Sequence, residues 1–193
     1  SYLLKDISYS ELKSRVGRLS YLLQNEVGHH KRVAFIMRNS PAYITAFLAL
    51  TNIRSLTIPI DPDLTDDEIA QYLRDTQVTH VFVTNDLTPR IRDLLRMQNI
   101  QAELVEIEKK RGGEYDPVYS PPADQVPVET DPILIFRTAG TTDEPKYVTF
   151  THKQVQSCTV PLKRLYHLGG TDRIYTSLSW SHPFSFVHGM LLP

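Results

Sequence analysis

The sequence predicts an α/β fold, a parallel sheet flanked by helices, on three observations. Short, unbroken apolar runs recur at Val33 to Met37, Leu56 to Ile60 and Val78 to Val83, as in strands covered on both faces. Between them lie segments of about ten to fifteen residues with helical spacing of apolar side chains. Helix-start signals stand at the heads of those segments. Strands alternating with helices build βαβ units and hence a parallel sheet.

Taken in order, Ser8-Tyr9-Ser10-Glu11 has capping-box spacing, and Leu12, Val16, Leu19 and Leu23 continue an amphipathic helix to about Glu26. The loop 28–31 leads into the first strand. Ser40-Pro41 caps a helix that is apolar on every side from Ala42 to Leu50, and so is buried. Leu56 to Ile60 is the next strand. Thr65-Asp66-Asp67-Glu68 is a second capping box, opening a helix that carries Ile69, Tyr72 and Leu73. After the strand at Val78 to Val83, Thr88-Pro89 starts another helix, and Glu103 to Ile107 gives a weaker strand.

From 109 to 130 the pattern stops. Gly112, Gly113, Pro117, Pro121, Pro122 and Pro127 mark this stretch as a surface connection between a βαβ-repeat segment, 1–108, and a final segment, 131–193. Regular structure is expected again in strands at Ile133 to Phe136 and Tyr147 to Thr151, a helix from about Thr151, and a strand at Arg173 to Ser179. Pro161 should kink or end that helix, because it removes a backbone donor.

Composition excludes several classes of function. The 193 residues carry 21 Lys+Arg against 22 Asp+Glu, a formal charge of -1, so there is no global attraction to nucleic acid or anionic membrane. The single cysteine, Cys158, cannot form an internal disulfide. No run approaches the ~18 apolar residues of a membrane span. The opening residues lack the basic flank and apolar stretch of a signal peptide, so a cytoplasmic location is expected. The chain opens at Ser1 without an initiator methionine and closes on the apolar stretch 188–193. A natural terminus is usually polar and frayed, so the reading is a piece of a longer protein.

Chemistry is concentrated in residues 136–147, directly after a buried strand. Small residues let backbone amides converge, the threonines add hydroxyl donors and Lys146 adds charge, which together suit a polyphosphate. A plain hairpin turn between two strands fits the same composition. A Walker loop does not: counting from Gly140 puts Pro145 at the second glycine and Tyr147 at the hydroxyl. No dinucleotide fingerprint follows the first strand.

At this loop the sequence resembles the adenylate-forming superfamily: acyl-CoA synthetases, fatty acyl-AMP ligases, luciferases and peptide-synthetase adenylation domains. Their phosphate loop runs Thr-Ser-Gly-Thr-Thr-Gly-x-Pro-Lys-Gly. Here Thr138, Gly140, Thr141, Thr142, Pro145 and Lys146 match, whereas Ala139, Asp143 and Tyr147 depart. Further likeness runs through Ile7 to Leu12, Arg32-Val33-Ala34, Asn39-Ser40-Pro41, Ile58 to Pro62, Glu68, Tyr72 to Asp75, Thr151-His152 and Asp172-Arg173. The shared order and spacing make the resemblance specific.

The resemblance implies a two-step reaction. A carboxylate attacks the α-phosphate of ATP to give an acyl-adenylate and pyrophosphate, and a thiol, of CoA or an acyl carrier protein, then takes the acyl group. Carried over by position, Thr138, Ala139, Gly140, Thr141, Thr142 and Lys146 form the phosphate site, with Mg²⁺ on the phosphates. Asp143 stands where the family has glycine, and its carboxylate would be repelled by phosphate unless it turned to solvent or to a metal. Tyr147 replaces a second family glycine and Arg54 a third.

The stretch Pro183 to Gly189 resembles the family's Pro-Leu-Phe-His-x-x-Gly segment beside the acyl pocket, with Phe186 at the histidine position and His188 two residues later. Both are candidates for that pocket, with core packing the alternative. Trp180 resembles the Ser-Trp-Leu-Pro of fatty acyl-AMP ligases. No metal site is expected: His29-His30 lies in a loop without Cys or carboxylates at ligand spacing. Lys109-Lys110-Arg111 reads as a solvated loop, and Cys158 as a buried small hydrophobe. Two functions remain open: the N-terminal part of an ATP-dependent carboxylate-activating ligase, inactive as a fragment, or a degenerate module of the same fold serving as a scaffold.

Overall fold

The computed structural model describes residues 6–107, 121–122, 125–138 and 145–193. Helix α1 (Tyr9–Glu26) is followed by β1 (Arg32–Ile36), α2 (Pro41–Asn52), β2 (Leu56–Ile60), α3 (Asp66–Thr76), β3 (His80–Val83), α4 (Thr88–Met97) and β4 (Glu103–Glu106). After the connection come β5 (Pro132–Thr138), β6 (Lys146–Thr151), α5 (His152–Leu165), a short turn α6 (Pro183–Ser185) and a π-helix (Phe186–Leu191).

The described strands form one sheet in the order β4-β3-β1-β2-β5-β6. All neighbours are parallel except β5 and β6, which make an antiparallel hairpin at the edge. The sheet is thus mostly parallel, as the apolar runs predict, and it takes in strands from both segments, 1–108 and 131–193. Strand alternation divides the core into two layers. Val33 and Phe35 face α1 and α2, while Ala34 and Ile36 face α3 and α4. Phe35 stacks on Phe82 with centroids 5.5 Å apart and meets Tyr43 of α2 edge-on at 5.1 Å.

The helix starts follow the sequence closely. Ser40 Oγ accepts from the Tyr43 amide with Pro41 at the first helical position, and α2 buries Tyr43, Ala46, Phe47, Ala49 and Leu50. Thr65 and Glu68 form a reciprocal capping box on α3. At α1 only half of the expected box forms. Ser8 Oγ accepts from the Glu11 amide, but the Glu11 carboxylate pairs with Arg15 one turn on instead, since a guanidinium offers a charge-assisted partner.

Two expectations are corrected in the final segment, and of the two outcomes expected at Pro161 one, the end of the helix, does not occur. Residues 173–179 form no strand. The Leu178 carbonyl is instead taken by the Asn39 side chain at 2.7 Å, and Thr176 packs against Gly189. Helix α5 continues through Pro161, because the turn around it is exposed and water can take the carbonyl that loses its partner. Cys158 is exposed: among the described residues α5 buries none of its own and packs mainly through Val155. Among the described residues, no helix is long and apolar enough to cross a membrane.

Candidate functional site

Open α/β sheets bind ligands beyond the carboxyl ends of their parallel strands. Here β5 delivers Thr138 to that edge, and β6 begins directly opposite at Lys146. Thr138 Oγ1 donates to the Lys146 carbonyl at 3.3 Å, closing the hairpin mouth. The Lys146 side chain is exposed, with no carboxylate at ion-pair distance among the described residues. Ala139, Gly140, Thr141, Thr142 and Asp143 lie outside the described residues. Of the sequence-predicted phosphate contacts, the structure therefore places Thr138 and Lys146, and it brings them together.

Beside this mouth the hydrogen-bonded ladder between β2 and β5 is short. Among the described residues β2 and β5 register at Thr57↔Leu134, and Pro59 stands where the ladder would continue. Proline has no N–H to donate. Further along β5, the Arg137 amide donates 2.8 Å to the Tyr72 hydroxyl of α3. Burial pushes the Tyr72 phenol up to about 12. Tyr147, paired with Arg137 across the hairpin, sets its ring edge-on to Tyr72 at 5.3 Å and donates its hydroxyl to Asp75 Oδ2 at 2.7 Å. Burial, then the bond to the Asp75 carboxylate, pushes the Tyr147 phenol well above its ordinary value. Its ring is turned onto α3, away from the face on which Lys146 stands. Sequence reasoning placed Tyr147 as a departure from glycine but missed this contact; the signal was Asp75, one helical turn from Tyr72.

A second group of contacts fixes the chain after α5. Asn39, just past β1, donates to the Leu178 carbonyl and accepts from the Trp180 amide at 2.8 Å. Ser181 donates to Asp61, just past β2, at 3.1 Å, and the Trp180 ring meets Tyr43 edge-on at 5.4 Å. Residues 178–181 thus lie over the carboxyl ends of β1 and β2. Phe186 is fully buried, edge-on to Phe47 at 5.0 Å and to Phe136 at 5.3 Å. It forms part of the core beneath β5, two residues short of Thr138. His188 lies apart from it, stacked on Phe184 at 4.2 Å and close to Tyr166.

At the opposite end of the hairpin a cleft of about 430 Å³ is lined by Phe47, Val128, Ile133, His152, Val155 and Leu191, among others. Arg54, in the left-handed region at φ 56°, donates to both Asp131 oxygens at 2.9 Å. Burial alone would raise the Asp131 carboxyl, but the bonds from Arg54 and the Val128 amide hold it below its usual value. Burial lowers the His152 pKa against the opposing pull of Asp131. Arg54, the third departure from a family glycine, is explained by this ion pair. No group of three His, Cys, Asp or Glu side chains suited to a metal occurs among the described residues.

Comparison with known proteins places the chain in a family. The chain is 30% identical over 187 residues to N-(5-amino-5-carboxypentanoyl)-L-cysteinyl-D-valine synthase of Amycolatopsis lactamdurans, covering 94% of this chain and 5% of that protein. It is 28% identical over 186 residues to the indoleacetate–CoA ligase of Aromatoleum aromaticum, covering 92% of this chain and 36% of the ligase. The chain therefore spans little more than a third of that ligase and a small part of the synthase. The ATP-bound structure of MatB from Rhodopseudomonas palustris superposes with a TM-score of 0.79 at 19% identity, over 97% of this chain and 38% of that one. That likeness speaks for the fold. Residues 2–193 match the model of the AMP-binding enzymes, and the chain belongs to that family.

Proposed function

We propose that this chain supplies the phosphate-binding part of an ATP-dependent ligase that activates a carboxylic acid as an acyl-adenylate. The acyl group then passes to a thiol, of CoA or of a carrier protein. The observation that carries this reading is the hairpin mouth at the carboxyl edge of the sheet, where Thr138 and Lys146 of the family's phosphate loop meet. In this reaction a carboxylate oxygen bonds to the α-phosphorus, the bond to the bridging oxygen breaks, and pyrophosphate leaves with its electron pair.

Little covalent chemistry falls to the protein, so positioning and charge stabilisation dominate. The Lys146 ammonium, exposed and without a carboxylate partner among the described residues, fits a polyanion and would offset charge on the departing pyrophosphate. The Thr138 hydroxyl holds the two strands together at the mouth. A bound Mg²⁺ would supply further neutralisation of the phosphate oxygens. Because Tyr147 points to α3, its bulk does not stand on the Lys146 face.

The test is carboxylate-dependent ATP–pyrophosphate exchange by the full-length protein with short, medium, long and aromatic acids. Exchange is expected with at least one class and should fall on the order of a hundredfold in Lys146→Ala. Absence of exchange with every acid would overturn the ligase reading and leave the scaffold reading, which Asp143 favours. An exchange rate unchanged by Asp143→Gly would show that this carboxylate does not face the phosphates.

A further inference from the structure

We propose that Tyr147 is a positioning residue that sets the register of β6 and thereby the placement of Lys146; the functional half of this inference rests on the nucleotide reading above. Successive side chains of a strand leave opposite faces of the sheet, so a slip of one residue exchanges the faces of every side chain. Lys146 and Tyr147 are neighbours in β6. Whatever pins Tyr147 to α3 therefore sends Lys146 to the other face, the face of Phe136 and Phe150. Thr138 is its register partner there.

The far end of this hairpin is itself held, by bonds from the His152 and Lys153 amides to the Asp131 and Glu129 carbonyls, but its register does not carry through to the mouth. Pro132 pairs with Thr151 and Leu134 with Phe150, so the ladder shifts between them, and such an irregularity leaves an unpaired residue in one strand. The neighbouring strand gives little help either, since Pro59 interrupts the ladder between β2 and β5. At the mouth, by contrast, both strands are tied to α3 by adjacent side chains. The Tyr72 hydroxyl accepts from the Arg137 amide, and Asp75 accepts from the Tyr147 hydroxyl. The two rings meet edge-on between these bonds. Arg137 and Tyr147 are directly opposite each other, so the latch grips one rung of the hairpin from both sides. A glycine at 147 has no side chain with which to do this, and the departure at that position becomes a substitute device for holding the lysine.

Amide hydrogen exchange tests the latch without reference to nucleotide, in the full-length protein. Tyr147→Phe keeps the ring and removes the bond to Asp75. Exchange at Lys146, Tyr147 and Val148 should quicken by about tenfold, the order expected of one hydrogen bond to a charged group. Exchange in β1 and β3 should stay unchanged. Asp75→Asn should weaken the same bond, and adding it to Tyr147→Phe should give little further effect. In ATP–pyrophosphate exchange, Tyr147→Phe should raise the KM for ATP several-fold and leave the KM for the acid unaltered. Unchanged amide exchange at 146–148, or fully additive single variants, would overturn the latch. Equal rises in both KM values would overturn its link to Lys146. An unaltered protein without pyrophosphate exchange would sink the nucleotide reading alone, because the amide measurements still decide the latch.

Discussion

The sheet has a finished side and an open side. Around β1 and β3 every residue from Val33 to Ile36 and from Val81 to Val83 is fully buried, with helices over both faces. Around β6 and α5, by contrast, the strand is mostly exposed or half-buried, and α5 buries nothing among the described residues. The first side owes its stability to apolar burial. The second is held by individual polar contacts and by close approaches: Arg54 to Asp131, Tyr147 to Asp75, Asn39 to residues 178–180, and Gly189 against Thr176. Nonspecific burial tolerates no cavities, whereas discrete contacts fail one at a time.

The largest expected effect comes from the finished side. Phe35→Ala should cost about 4 kcal/mol, the range for large-to-small changes at fully buried aromatics. Leu165→Ala on α5, 68% exposed, should stay within about 0.5 kcal/mol. Chemical denaturation of both variants measures the contrast, and equal losses would break it. Next comes the ion pair between the two sides. Asp131→Ala leaves Arg54 without its bidentate partner. Loss of a buried pair's partner costs ~3–5 kcal/mol, and the pair's side chains are 22% and 10% exposed, so about 2–3 kcal/mol is expected. If Asp131→Asn matched the wild type, the charge would be irrelevant.

Gly189→Ala should be smaller and confined to the open side. The added Cβ would lie 2.5 Å from Thr176 Oγ1 and 2.7 Å from its Cβ. Overpacking of this sort costs ~1–3 kcal/mol, and Thr176→Gly in the same protein should relieve it. Proteolysis in 172–178 should quicken in the single variant and return to normal in the double.

The smallest effect should be the pH dependence. Burial lowers the pKa of His80, against the raising influence of Glu103, and of His152, against that of Asp131. An unfolded chain takes up these protons near the ordinary 6.5, before the folded one does. Their contribution is therefore intact above about pH 6.5 and declines as the pH falls below that value, towards the lower folded pKa. Denaturation midpoints at pH 7.5 and 5.5 should differ, and His80→Gln with His152→Gln should flatten the difference. A midpoint that rises on acidification would contradict this sign.

Legibility from sequence followed the same division. Val33 to Met37, Leu56 to Ile60 and Val78 to Val83 announce their strands because both faces are buried, and burial on both faces writes itself as an unbroken apolar run. Arg173 to Ser179 has a strand-like composition too. It forms none because Asn39 and Gly189 claim its carbonyl and its side chain. Cys158 and Leu162 have core spacing on a helix that meets little of the core. The family's loop motif at 138–147 was legible as an ordered string of residue types. The device beside it was not, since Tyr72, Asp75, Arg137 and Tyr147 are brought together from three separate elements.

The sequence by itself determined the local choices: where helices start, which runs become buried strands, and the motif that assigns the family. These follow from interactions within a few residues, which composition and spacing record directly. Tertiary structure alone decided what two of the departures from glycine, Arg54 and Tyr147, do. Arg54 reaches Asp131, 77 residues further along the chain, and Tyr147 reaches Asp75 on α3. Such partners are far apart in the chain, and only folding fixes the distance and direction on which a hydrogen bond depends.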